Sequence, residues 1–146
     1  YWGDDACIDE NGVNIEAKII SKIRNDSGWK GLYFGGTAFK KQRVIPQEKY
    51  GDAAKYATQF MDVVTTSGIA TGIEADISKI KTFRSSIGDS VLAIASGITV
   101  ENAKMYSIAD CFMVATGINY DDNFYEIDHK KLSKLLLVCR QIGIGE

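Results

Sequence analysis

"VLAIASGITVENAKMYSIADCFMVATG", Val91 to Gly117, holds two apolar runs around a short polar segment, and each run ends in a small or hydroxyl residue followed by glycine. Runs this short and this continuously apolar read as strands buried on both faces, the kind found in parallel sheets covered by helices. In such sheets ligands gather at the strand C-termini, where glycine lets backbone N–H groups close on an anion.

Outward from that stretch the pattern alternates. Ile73, Ile77, Ile80, Phe83 and Ile87 recur at helical spacing before Val91, and "DVVTT" at Asp62–Thr66 is a β-branched strand. Upstream, Tyr50, Ala53, Ala54, Ala57, Phe60 and Met61 share a helical face after the single proline, Pro46; "GLYF" at Gly31–Phe34 is a further strand. Ile15, Ile19, Ile20 and Ile23 mark a helix that stops at "NDSG". Downstream, Thr99 is placed to cap a short helix and "CFMVA" is the last strand. Asp128 caps a final helix whose buried stripe is Leu132, Leu135, Leu136, Cys139 and Ile142, with Ile127 and Leu132 as a hydrophobic staple.

Alternating strands and helices with apolar strands predict an α/β fold with a parallel sheet, either an open doubly wound sheet or (β/α) units of the TIM-barrel type. The strand ends Phe34, Thr66, Ala95 and Ala115 lie 32, 29 and 20 residues apart. A complete (β/α)8 barrel averages roughly 31 residues per unit, so this chain is expected to hold four to five units, about half a barrel, in one domain spanning residues 1–146. Half a barrel leaves two sheet edges open to pairing. The chain also begins at Tyr1 rather than at methionine. The expectation is therefore a homo-oligomer or part of a longer chain.

Composition narrows the partners. Seventeen basic and nineteen acidic residues give a net charge of −2, with no basic block to attract a nucleic-acid backbone. No apolar run reaches the roughly 18 residues of a membrane span, and the expected location is cytoplasmic. Cys7, Cys111 and Cys139 are an odd number at wide spacing and are expected as buried reduced thiols. With His129 as the single histidine, neither a metal site nor a serine triad is expected, and no cofactor is predicted.

Three strands end alike, in "TTSGIATG" (Thr65–Gly72), "ASGIT" (Ala95–Thr99) and "ATGIN" (Ala115–Asn119). Each places a hydroxyl residue before a glycine where a barrel builds its site. The candidate phosphate-binding residues are Ser67, Gly68, Thr71, Gly72, Ser96, Gly97, Thr116 and Gly117. Strand-to-helix turns also use glycine simply for tight geometry. Lys40 and Asn102 are possible substrate contacts, with Lys41 beside the first; a solvated lysine pair and helix capping by Asn102 are the plain alternatives. Asp4, Asp5, Asp9 and Glu10 form an acidic stretch above the rim, suited to a cation or a sugar hydroxyl, or simply solvated. Asp62 and Asp110 begin their strands and so fall on the stability face.

The segments "DVVTTSGIATG" (Asp62–Gly72), "ASGITVEN" (Ala95–Asn102), "ADCFMVATGI" (Ala109–Ile118) and "EIDHKKL" (Glu126–Leu132) resemble the C-terminal half of the BtpA family. "IDENGVNIEAKIISKIR" at Ile8–Arg24 resembles the segment before that family's fifth strand. The resemblance implies a (β/α)8 barrel of the ribulose-phosphate-binding kind, and members are associated with photosystem I accumulation and with sugar operons. It implies a phosphorylated small-molecule ligand, a phosphosugar or a nucleotide-like compound, with the reaction open; the alternative is a non-catalytic assembly or scaffold role. Two departures stand out. Gly36 replaces an acidic residue in "GGTAFKKQ", where Lys40 matches the family lysine and Lys41 replaces a histidine. Asn119 and Tyr120 stand where a lysine often follows the last glycine.

Overall fold

The computed structural model describes residues 1–144. In chain order the elements are β1 (Trp2–Gly3), the hairpin strands β2 (Ile8–Asp9) and β3 (Gly12–Val13), α1 (Ile15–Ser27) and β4 (Phe34–Gly36). A 3-10 turn (Gln47–Lys49) leads into α2 (Tyr50–Ala57), followed by β5 (Val63–Thr66), α3 (Ile77–Ile87) and β6 (Val91–Ala95). A second 3-10 turn (Ala103–Tyr106) precedes β7 (Cys111–Met113), the hairpin β8 (Asn119–Tyr120) and β9 (Asn123–Ile127), and α4 (His129–Gln141).

Five strands pair in the order β1-β4-β5-β6-β7, every pair parallel. The sheet curls into half of a TIM-type barrel. Register sets Trp2, Phe34, Val63 and Val91 in one row, and Gly36, Thr65, Ala93 and Cys111 in the next row of the same face. The second row is built of small residues, which leaves room on the concave face above it. On the other face Val64, Leu92 and Ile94 pack with Ala53, Ala57, Ile80 and Phe83 of α2 and α3 into the core. Each large aliphatic or aromatic side chain buried there contributes roughly 2 kcal/mol relative to exposure.

The helix starts follow local chemistry. Asn14 accepts from the Ala17 N–H, Asp76 from the Ser78 N–H, and Asp128 from the Lys130 and Lys131 N–H groups, so each side chain satisfies donors that have no partner within the first turn. The Asp76 hydrogen bonds with Ser78 hold its carboxyl below the usual range. At the opposite end of the sheet one device occurs twice. Asp62 accepts from the Tyr33 N–H and pairs with Arg24 of α1, while Asp110 accepts from the Leu92 N–H and pairs with Arg84 of α3. Both aspartates are thus structural ties at the strand starts.

Several expectations are corrected in detail. The strand β1 has no counterpart in the sequence reading, since two residues carry no periodicity. The third helix begins at Ile77 because Asp76 caps it, leaving Ile73 half-exposed in the preceding loop. In α1 the isoleucine stripe does not face the core: Ile15, Ile19 and Ile23 are exposed, whereas Ala17 is buried and Ile20 packs against the core. Leu136 of α4 is likewise exposed, the last strand stops at Met113, and Ile127 ends a hairpin rather than a loop. The three cysteines are free and half-buried.

Candidate functional site

At the C-terminal end of the sheet a cavity of about 500 Å³ opens across the concave side. Lys40, Lys41, Thr71, Gly72, Ser96, Gly97, Thr116 and Gly117 line it, so the loops after four strands converge. Trp2, Asp4 and Phe39 complete the wall on the β1 side, and Met113 and Val114 on the β7 side.

The lysines reach the cavity on a tightly specified turn. Ala38 and Lys41 both have positive φ, 47° and 71°, a region that disfavours side chains and is held only where surrounding contacts fix it. Those contacts are present. The Phe39 N–H donates to Gln42 Oε1 at 2.8 Å, and the Lys40 N–H donates to Ser67 Oγ at 2.8 Å. Below the turn, Lys79 is buried and donates through Nζ to the carbonyls of Ala38 and Ser67, with the rings of Tyr50 and Phe83 beneath its ammonium. Burial lowers the Lys79 pKa to about 8.

The glycine-bearing turns overlap. A Cβ on Gly97, whose φ is +71°, would stand 2.3 Å from the Glu74 backbone; one on Gly117 would stand 2.1 Å from the Ile98 carbonyl, and one on Gly68 2.4 Å from that of Ile73. Close backbone packing, within the turn after β5 for Gly68 and between successive turns for Gly97 and Gly117, therefore accounts for these glycines on its own. The hydroxyls of Ser67 and Ser96 also serve the scaffold. Ser67 is fully buried and donates to the Gly68 carbonyl, while Ser96 Oγ accepts from the Gly72 N–H at 3.2 Å and donates to the Ala70 carbonyl at 3.0 Å.

The eight residues read as a phosphate cradle thus divide. Thr71, Gly72, Ser96, Gly97, Thr116 and Gly117 meet around the cavity; Ser67 and Gly68 lie behind it. Among the described residues the N–H groups of Gly97 and Gly117 donate to no other backbone group, which leaves two donors at adjacent strand ends. Asn102 lies outside the cavity. Its Oδ1 accepts from the Thr99 N–H at 2.8 Å and its Nδ2 donates to the Gly97 carbonyl and to Glu74, so it fixes the turn that carries Gly97.

A model of the BtpA family matches residues 40–141. The chain belongs to the BtpA family. The match takes in Lys40 and the glycine-bearing turns after β5, β6 and β7, and the segment Ile8–Arg24 lies outside it. Comparisons with curated proteins and with solved structures return no match.

Within this BtpA-family half-barrel, Trp2, Phe39 and Lys79 are the site-related residues that sequence reasoning did not find. Trp2 sits in a strand too short to show a pattern, and Phe39 in a loop. Lys79 hides in the polar spacing of α3. Its one signal is position, since Lys79 precedes Ile80 on the helix side that Ile80 and Phe83 bury. No group of three or more metal-ligating side chains occurs among the described residues, and no helix there is long and apolar enough to cross a membrane.

Proposed function

We propose that this chain binds a phosphorylated small molecule, a phosphosugar or nucleotide-like compound, in the cavity at the strand ends. One observation carries the reading: two lysines, the hydroxyls of Thr71 and Thr116, and the free N–H groups of Gly97 and Gly117 share one cavity of about 500 Å³. Oriented backbone donors and nearby ammonium groups are what a phosphate dianion needs, and the volume suits a small organic ligand. The reading is one of binding, with the reaction left open.

Thermal unfolding with inorganic phosphate and phosphorylated compounds tests it. A ligand that binds only the folded chain stabilises it by about 2.7 kcal/mol at a hundredfold excess over Kd, a readily measured rise in Tm. The rise is expected to saturate and to shrink in Lys40→Ala and Lys41→Ala. A folded protein with no rise for any phosphorylated compound refutes the reading.

A non-catalytic, partner-binding role is the second reading. It draws support from exposed apolar side chains, Ile15, Ile19 and Ile23 on α1, and Phe124, Tyr125 and Leu137 on β9 and α4. Sedimentation equilibrium distinguishes it: self-association that is lost in Ile19→Lys or Leu137→Lys supports this reading, and a monomer at all concentrations argues against self-assembly.

A further inference from the structure

We infer that the β1 side of the cavity is a ring-binding subsite that makes the ligand a cyclic sugar monophosphate, with Trp2, Phe39 and Asp4 as its specificity-determining residues. The inference rests on the phosphate-binding reading above and adds what the far end of the ligand must be.

The two sides of the cavity differ in what they add to a phosphate site. Its β6 and β7 side carries the backbone donors of Gly97 and Gly117 and the Thr116 hydroxyl. Across the opening Lys40 and Lys41 stand beside an aromatic pair: the Trp2 and Phe39 rings meet edge to face, with centroids 5.2 Å apart and planes inclined by 61°, and the Lys40 ammonium lies 5.5 Å from the Phe39 centroid. Phe39 is almost wholly buried, so it backs Trp2 from behind, and the half-buried Trp2 ring is the part of the pair open to a ligand. A half-buried Trp2 ring backed by Phe39 suits the C–H face of a sugar ring, which loses little entropy and removes apolar area from water on docking.

Asp4 supplies the directional part. Its backbone is pinned, since its carbonyl accepts from Gln42 Nε2 at 3.1 Å and a side chain on Gly36 would collide with that carbonyl at 2.2 Å. Its exposed carboxylate takes part in none of the ion pairs among the described residues, although Arg43 nearby is engaged by Asp9 and Glu10. An ionised carboxylate is an acceptor only, able to receive two adjacent hydroxyls. It also repels a second phosphate, so the site selects one anionic end and one hydroxylated end.

The test is calorimetric titration of the intact chain with inorganic phosphate, glycerol 3-phosphate, ribose 5-phosphate, ribulose 1,5-bisphosphate and AMP. Ribose 5-phosphate is expected to bind about tenfold more tightly than glycerol 3-phosphate or inorganic phosphate, and more tightly than the bisphosphate. Asp4→Asn and Trp2→Leu should each remove most of that advantage, and Asp4→Asn, which takes a negative charge from the cavity, should also weaken the discrimination against the bisphosphate. Asp4 is exposed, so Asp4→Asn gives a folded variant even if Trp2→Leu does not. Equal affinity for ribose 5-phosphate and inorganic phosphate overturns the subsite while the phosphate reading stands. Tighter binding of AMP assigns the aromatic wall to a nucleobase and overturns it too. If no phosphorylated probe binds, both readings fail together.

Discussion

The Lys79 ammonium donates to the Ser67 carbonyl across 2.8 Å and to the Ala38 carbonyl across 2.5 Å, tying the turn after β4 to the turn after β5. None of the ion pairs among the described residues involves it, and burial alone lowers its pKa to about 8 from 10.5. Between those values the unfolded chain holds a proton that the folded chain has released, so stability rises with pH across that window. The increment expected from Lys79 is about 1 kcal/mol between pH 8 and 9. The thiols, whose pKa values burial raises, act in the opposite sense at higher pH. The readout is therefore the difference between the native chain and Lys79→Met in urea unfolding. Parallel pH profiles for the two would disprove the assignment.

Gly97 and Gly88 separate two costs of adding a methyl group. Both have positive φ, +71° and +56°, but a Cβ on Gly97 collides with the Glu74 backbone whereas one on Gly88 meets nothing. Gly88→Ala should cost about 1–3 kcal/mol from the backbone conformation alone, since its ψ of −126° lies outside the left-handed helical region. Gly97→Ala should cost at least about 2 kcal/mol more and reduce any phosphate-induced rise in Tm, because the two turns must separate. Equal losses in chemical unfolding would show that the contact at Gly97 is slack.

Asp110 works chiefly through the Leu92 N–H, which it accepts at 2.7 Å; its pairing with Arg84 is partly exposed and contributes less. Asp110→Ala is expected to cost about 1–2 kcal/mol, with Asp110→Asn, which keeps an acceptor, losing less than half of that. Denaturant midpoints of the two variants check the order. A larger loss in the asparagine variant would place the energy in the ion pair.

Cys111 is the least reactive thiol expected. Burial, with Asp110 next to it, raises its pKa to about 11, so little thiolate is present at pH 8. Mass spectrometry during iodoacetamide labelling should show Cys7 and Cys139 modified before Cys111. Labelling of Cys111 first would mean that β7 opens locally.

The parallel half-barrel was legible because β5 is β-branched and β6 apolar along their whole length and the intervening helix repeats at 3.6 residues. The convergence of Thr71, Ser96, Gly97, Thr116 and Gly117 followed from the rule that strand ends share one rim. Burial was not legible everywhere. Ile15, Ile19 and Ile23 have helical spacing, yet among the described residues it is Ala17 and Ile20 that reach the core, and periodicity names a face without saying what covers it. Nor does a Ser-Gly pair disclose whether its hydroxyl faces ligand or protein. Ser67 and Ser96 are engaged with neighbouring turns, a fact that depends on contacts between turns separated by a strand and a helix.

The overlap of those turns has a mechanical consequence. Gly68 lies under Ile73 within a single turn, whereas Gly97 lies against Glu74 and Gly117 against Ile98, so the turns after β6 and β7 each rest on the one before like tiles laid in a single direction. Lengthening the turn after β5 would lift both tiles that follow, whereas a change at Thr116 disturbs nothing laid later. The rim can therefore acquire a new ligand preference at its β7 margin while its middle stays fixed in length.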